Sequence, residues 1–364
     1  MGKIDWYILK KFLVTFFFCM MLFTVIAVAV DSSEKTDDFV STGLSTVEII
    51  RQYYFGFVPF IWGLLFPLFV FIAVIFFTSR MATRSEIIAI LASGTSYNRM
   101  LRPYVVGGTL LAVMLWYGNR YLIPKANEIK NDFQTTYIDK NNQRGGQQYG
   151  CVNCFYLRID PNTYIGIKYY DTTTKSASAF SLERVKNNKV VYNLRASSIK
   201  WDTATNDWKL YSVVIRTVDS MRETVKLYPE VTIKMKLKPE ELRKDEYLKD
   251  KLTTPELVAF INREESRGRE GLSALKVEQY RRTATPATVI LLTLIGVVIA
   301  SRKNRGGSGM HLALGIIIAA LFIVSDRFST VFATKGNFPP LLAAWLPNIA
   351  FSVVAYWMYR RTPK

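Results

Sequence analysis

The sequence predicts a membrane α-helical bundle of six transmembrane helices carrying an inserted antiparallel β-domain, and three observations predict it. Phe12–Val30 and Tyr53–Thr78 run without a single charge, and about 20 apolar residues at about 1.5 Å rise cross the roughly 30 Å hydrocarbon core of a bilayer. Cations gather in alternate short loops. Between the third and fourth apolar segments the hydrophobic period shifts towards two.

Half of the 364 residues are hydrophobic, yet the formal net charge is +18. In a soluble protein that charge would point to nucleic acid, a reading the apolar stretches exclude. Aromatic residues at 14% exclude disorder. Six segments qualify as spans: 12–31, 54–78, 103–123, 284–301, 310–329 and 341–359. Gly107, Gly108 and Pro286 interrupt the third and fourth, which neighbouring helices tolerate by satisfying the freed backbone groups. The first span reads as retained and not as a signal peptide, being too long and lacking a small-residue cleavage site.

One set of loops and ends holds thirteen cations, from Lys3, Lys10 and Lys11 through Arg80, Arg84, Arg99 and Arg102 to Arg302 and Arg361. The opposite set holds Lys35, Arg51 and Lys335. The positive-inside rule then places both termini in the cytoplasm, and six spans agree in parity. Residues 1–123 form the first three spans, 124–283 an outward domain, and 284–364 the last three spans.

The outward domain reads as several short strands at even spacing, an antiparallel sandwich or jelly roll. Val231, Ile233, Met235 and Leu237 alternate with Thr232, Lys234, Lys236 and Lys238, and Phe155, Leu157 and Ile159 alternate similarly. Tyr164–Tyr170, Lys189–Leu194 and Trp208–Thr217 are further strands. After Pro239 the pattern turns helical, with Thr254 as the N-cap before Pro255 and Glu256.

Enzymatic chemistry finds no support. The single histidine, His311, reads as an interfacial helix residue, with no nucleophile elbow to accompany it. Cys19 lies inside the first span. Cys151 and Cys154 form a CxxC that no second CxxC or histidine pair completes into a metal site; outside the cytoplasm the pair is open to a local disulfide, and no thioredoxin-like βαβ context supports redox catalysis. Gly306-Gly307-Ser308-Gly309 lacks the lysine of a phosphate loop. No catalytic residue, metal or cofactor is expected; any nucleotide energy comes from another chain.

Thr83 to Gly94 reads as a short helix. Thr83 as N-cap with Glu86 three residues on makes a capping box, and Gly94 suits a left-handed C-terminal cap. Ile87, Ile88, Ile90 and Leu91 give it an apolar side, which needs a groove in its own bundle or on a partner.

Four pieces in order, on a layout of three spans, a domain and three spans, resemble the LptF/LptG permeases of the lipopolysaccharide exporter. They are Ile4-Asp5-Trp6-Tyr7-Ile8 through Phe12, Arg84-Ser85-Glu86 through Gly94, Ala196–Asp202 with Trp208–Leu210, and Pro339-Pro340 through Asn348. The resemblance implies an ATP-binding-cassette exporter of the inner membrane. In it a second LptF/LptG-type subunit pairs with this one over two copies of a cytoplasmic ATPase. Lipopolysaccharide is extracted from the membrane and passed to periplasmic jelly-roll bridge proteins, so the outward domain is periplasmic.

The resemblance further implies that Arg84, Ser85, Glu86, Ile87, Ile90, Leu91 and Gly94 couple to the ATPase. It implies a lateral gate framed by the first span of one subunit and the fifth span of the other, where Asp31, Glu34, Lys35, Asp326 and Arg327 fall. Family members place cations near the end of the first span, where lipid phosphates are met; here Lys35 alone matches, amid four carboxylates. Asp326-Arg327 reads as an intrahelical or intersubunit pair. A lipoprotein-release permease is the alternative transporter, but it inserts its domain after the first of four spans. A membrane-anchored receptor or interaction module needs neither six spans nor the short helix.

Overall fold

The computed structural model describes the chain apart from residues 1, 139–154, 161, 172–173, 187–188, 204, 220–221, 236–246, 268–270, 303–306, 337 and 362–364. It divides into two compact units, one helical and one built on a β-sheet.

In the helical unit α1 spans Lys3–Glu34, α2 Thr36–Thr42, α3 Thr46–Thr83, α4 Glu86–Ala92 and α5 Tyr97–Ile138. After the β-sheet come α6 Leu248–Lys251, α7 Thr254–Ser266, α8 Ser273–Ala300, α9 Gly307–Lys335 and α10 Pro340–Arg360. Among these, α1, α3, α5, α8, α9 and α10 are long and apolar enough to cross a membrane. The helices outrun the apolar segments, continuing into charged ends such as Lys3 and Lys335. Local chemistry marks their starts. The Gly2 N–H donates to Asp5 Oδ2 at 2.8 Å, and Ser45 with Glu48 forms a capping box before α3.

Helix α8 is the centre, with 72% of its most apolar window buried against 11% for α1. Phe12 and Phe16 of α1, Phe69 and Val74 of α3, Tyr104 and Leu111 of α5, and Val289 and Val297 of α8 share one core. Phe71, Ile75, Leu292 and Ile295 form a second with Ala319 of α9. Between membrane helices close backbone approach replaces hydrophobic driving force. A Cβ on Gly56 would lie 2.4 Å from the Ala126 carbonyl oxygen, so α3 and α5 meet backbone to backbone. Buried polar groups join α8 to α10: Asn348 Nδ2 donates to the Ala284 carbonyl at 3.0 Å, and Thr288 Oγ1 to Asn348 Oδ1 at 2.8 Å.

The β unit is an antiparallel sheet whose described strands pair in chain order: β1 Phe155–Asp160, β2 Thr163–Asp171, β3 Ser176–Lys186, β4 Lys189–Asp202, β5 Asp207–Asp219 and β6 Arg222–Ile233. The inserted antiparallel domain is thus as predicted, and among the described strands the sheet is not closed. Ile165, Phe180, Leu194, Ile199, Trp208 and Val213 line one buried face, each such side chain contributing about 1.5–3 kcal/mol.

The row Lys168, Ala179, Ser197, Ser212 and Pro229 crosses five strands, and pairing is recorded on either side of it but not through it. Ala179 (φ 52°) and Ser212 (φ 51°) are left-handed there, which non-glycine residues adopt at a cost. Buried residues are three apart across this crease: Ile167 and Tyr170, Ala177 and Phe180, Ala196 and Ile199, Leu210 and Val213. The alternation flips in these four strands at once, so both halves keep their apolar residues in one core.

Several expectations change. Strand β3 escaped the sequence reading, and β6 begins nine residues before Val231. Val231, Ile233 and Met235 are partly buried while Thr232 and Lys234 are exposed; Lys236, Leu237 and Lys238 lie outside the described residues, as do Cys151 and Cys154. Thr253, not Thr254, precedes the first turn of α7, its N–H donating to Glu256 Oε2 at 2.9 Å. Cys19 faces the core, and His311 is buried at 3% exposure.

Candidate functional site

The two ends of the helical unit carry different chemistry. At one end, α4 lies under the bundle. Its start departs from the expected capping box. Thr83 Oγ1 donates back to the Ser79 carbonyl at 2.9 Å, extending α3, and Ser85 takes a left-handed φ of 61° before the first turn. That backbone turn, not a side-chain cap, redirects the chain. Gly94 is left-handed at φ 84°, as a C-terminal cap requires.

Within α4, Ile87 is buried at 2% exposure among Ile8, Tyr97 and Met100, and Ile90 and Leu91 pack against the same core. These three seat the helix on its own bundle. Arg84, Ile88, Ala89, Ala92 and Gly94 are exposed, and Ser85 and Glu86 partly so. The outward surface therefore centres on Arg84, Glu86 and Ile88. The Tyr7 hydroxyl donates to Glu86 Oε2 at 3.1 Å, and Tyr359 of α10 donates to Asn98 of α5. The first turns of α1 and the last of α10 thus share the end that carries α4.

At the opposite end, Asp31 closes the last turns of α1. Its Oδ1 accepts from Lys35 Nζ at 3.1 Å and from the Tyr53 hydroxyl at 3.1 Å. Lys35 also donates to the Tyr53 hydroxyl, and its Nζ lies 4.7 Å from the Tyr53 ring centroid. Tyr53 is fully buried among Phe39, Phe57 and Phe133. Lys35 is thus held by its own chain, with 22% of its side chain exposed. Glu34 is exposed.

Within the chain, Asp326 and Arg327 have different surroundings. Asp326 Oδ2 accepts from Arg281 Nη2 of α8 at 2.7 Å, and Arg327 is exposed. One residue on, Arg282 is buried and binds four acceptors. These are the Leu252 and Lys249 carbonyls, each at 2.7 Å, Thr254 Oγ1 at 3.3 Å and Glu278 Oε1 at 3.1 Å. Asn127 Nδ2 of α5 holds the Asp250 carbonyl at 3.1 Å, and Lys251 pairs with Asp132 at 2.9 Å. The segment around α6 is therefore clamped from two sides. Burial, with Glu278 nearby, pushes the Asp250 carboxyl above the usual range. The Thr253 hydrogen bonds hold Glu256 below it.

Sequence reasoning missed Tyr7, Tyr53, Arg281 and Arg282. The Arg281-Arg282 pair directly before an apolar run was a readable signal, as was Tyr7 one turn before Lys11. Among the described residues no three His, Cys, Asp or Glu side chains gather as a metal requires.

Residues 6–361 match the family model described as lipopolysaccharide export system permease LptF/LptG. The chain belongs to this family. The match runs through the spans before the β-domain, the domain itself and the spans after it, so no part of the layout falls outside it. No curated protein matches the chain. As an LptF/LptG member it is a multi-pass inner-membrane permease subunit, and six apolar helices agree with that.

Proposed function

We propose that this chain extracts lipopolysaccharide from the inner membrane as one of two paired permease subunits, driven by a separate ATP-binding-cassette ATPase. In this reading both termini and α4 are cytoplasmic, and residues 124–283 are a periplasmic domain between spans 1–123 and 284–364. That domain hands the lipid to jelly-roll bridge proteins. The single observation that carries the reading is the division of α4. Ile87, Ile90 and Leu91 seat the helix on its own bundle, leaving Arg84, Glu86 and Ile88 on a surface for another protein.

At the other end, Asp31, Glu34, Lys35, Asp326 and Arg327 border the lateral entrance. A cation there meets a lipid phosphate through charge-assisted hydrogen bonds. Lys35 would do so only by giving up part of its contact with Asp31 and Tyr53, so exposed Arg327 is the stronger first contact. Crosslinking of lipid near the outer ends of α1 and α9 should fall more for Arg327→Glu than for Lys35→Glu; equal crosslinking in both variants and wild type removes these residues from the path.

The docking claim is tested with Glu86→Ala in the assembled complex. Loss of ATP-dependent lipid release is expected. Unchanged release with normal assembly would sink it.

A further inference from the structure

The Glu86 carboxylate does not only face outward; it ends a hydrogen-bonded chain that begins on α1. Lys11 Nζ donates to the Tyr7 hydroxyl at 2.6 Å, and that hydroxyl donates to Glu86 Oε2 at 3.1 Å. The direction is fixed by chemistry, because an ammonium only donates and a carboxylate only accepts. Lys11 Nζ also lies 4.4 Å from the Tyr7 ring centroid, which orients the phenol. Tyr7 and Lys11 stand one turn apart on the same helix face. Members of such a chain polarise one another.

We propose that Tyr7 is a positioning residue for energy coupling: it ties the short helix α4 to α1, the helix that reaches Asp31 and Lys35. The apolar contacts of Ile87, Ile90 and Leu91 hold α4 in place but tolerate sliding. The Lys11–Tyr7–Glu86 chain sets its orientation. From Tyr7 to Asp31 the helix α1 is continuous. A helix of its 32 residues is a rod about 48 Å long. A displacement of Glu86 by a docked ATPase therefore reaches the far end of α1 through one hydroxyl. The inference rests on the docking role proposed for Glu86.

Tyr7→Phe removes the hydroxyl and keeps the ring. The test uses the full complex, wild type and variant, in lipid vesicles containing lipopolysaccharide. Three quantities are read: subunits recovered together, ATP turnover, and lipid released per ATP hydrolysed. Recovery and turnover should match wild type, while lipid released per ATP falls about fivefold, the weight of one partly exposed hydrogen bond to a charged group. A merely structural role would lower all three together, and that pattern overturns the proposal. In a Glu86→Gln background, where an amide oxygen still accepts from the hydroxyl but carries no charge, adding Tyr7→Phe should lower the ratio by less than it does in wild type. An equal fall in both backgrounds would overturn the relay. If wild type shows no ATP-dependent release, the functional reading itself fails. If wild type couples normally and Tyr7→Phe equals it, only the relay fails.

Discussion

Replacing Arg282 with methionine should release the α6 segment from α8 while leaving the helices in place. The guanidinium makes two 2.7 Å bonds to the Lys249 and Leu252 carbonyls and a 3.1 Å bond to Glu278. Each hydrogen bond to a buried charged group contributes about 1.5–3 kcal/mol. The full sum overstates the loss, because 24% of the Glu278 side chain is exposed and water re-solvates it. Breaking one side of a buried ion pair costs about 3–5 kcal/mol. With that discount, a loss near the lower limit, about 3 kcal/mol, is expected. Asn127 and Lys251 still hold the segment from α5, so the effect is local opening and not global unfolding. Amide exchange over residues 249–254 should speed up about 100-fold, since about 1.4 kcal/mol is tenfold. Arg282→Lys should fall between, because a single ammonium cannot reach both carbonyls in the forked geometry of arginine. Exchange within about threefold of wild type in Arg282→Met would refute the clamp.

Asn348→Leu removes the bond to the Ala284 carbonyl and one partner of Thr288 between α8 and α10. It should lower stability in detergent by about 0.6–1.7 kcal/mol, read as earlier thermal unfolding. Gly56→Ala forces backbone apart where α3 meets α5 and should cost about 1–3 kcal/mol, whereas an effect under about 0.5 kcal/mol would deny the close crossing. Trp208→Ala empties the β-domain core and should cost that domain about 3–5 kcal/mol, seen as proteolysis confined to it. Glu256 has a depressed folded-state pKa, so its contribution to α7 is full above the ordinary value of about 4.3. It is lost as pH falls through the depressed value. Glu256→Gln should abolish that acid-side rise in α7 amide exchange.

The spans were legible because twenty apolar residues have few uses other than crossing a bilayer. Their true lengths were not, since Lys3 or Lys335 extends a helix without adding hydropathy. Strand β1 and the end of β6 announced themselves by alternation. Strand β3 did not, because Ser176, Ala177, Ser178, Ala179 and Ser181 are small and none is β-branched, so its first half lacks the residues that mark a strand.

The short helix was legible in its residues but not in its orientation. Thr83, Ser85 and Glu86 satisfy a capping pattern on paper, yet Thr83 bonds backwards and the turn falls at Ser85. Nor does spacing say which of Ile87 and Ile88 faces the bundle when the helix is seven residues long. Asp326 was visible as a costly charge near a span. Its partner, Arg281, stands 45 residues away and only the packing of α8 on α9 brings it near.

The central claim is that this permease subunit works within an ATPase-driven exporter of a phosphorylated lipid. Isolating the chain from its own membrane in mild detergent, and identifying the proteins and lipid that remain bound, tests it most directly. A second permease subunit of this family, a cytoplasmic ATP-binding-cassette ATPase and lipopolysaccharide should be recovered together. A chain recovered alone, or with an ATPase and a lipoprotein in place of lipopolysaccharide, would contradict the account.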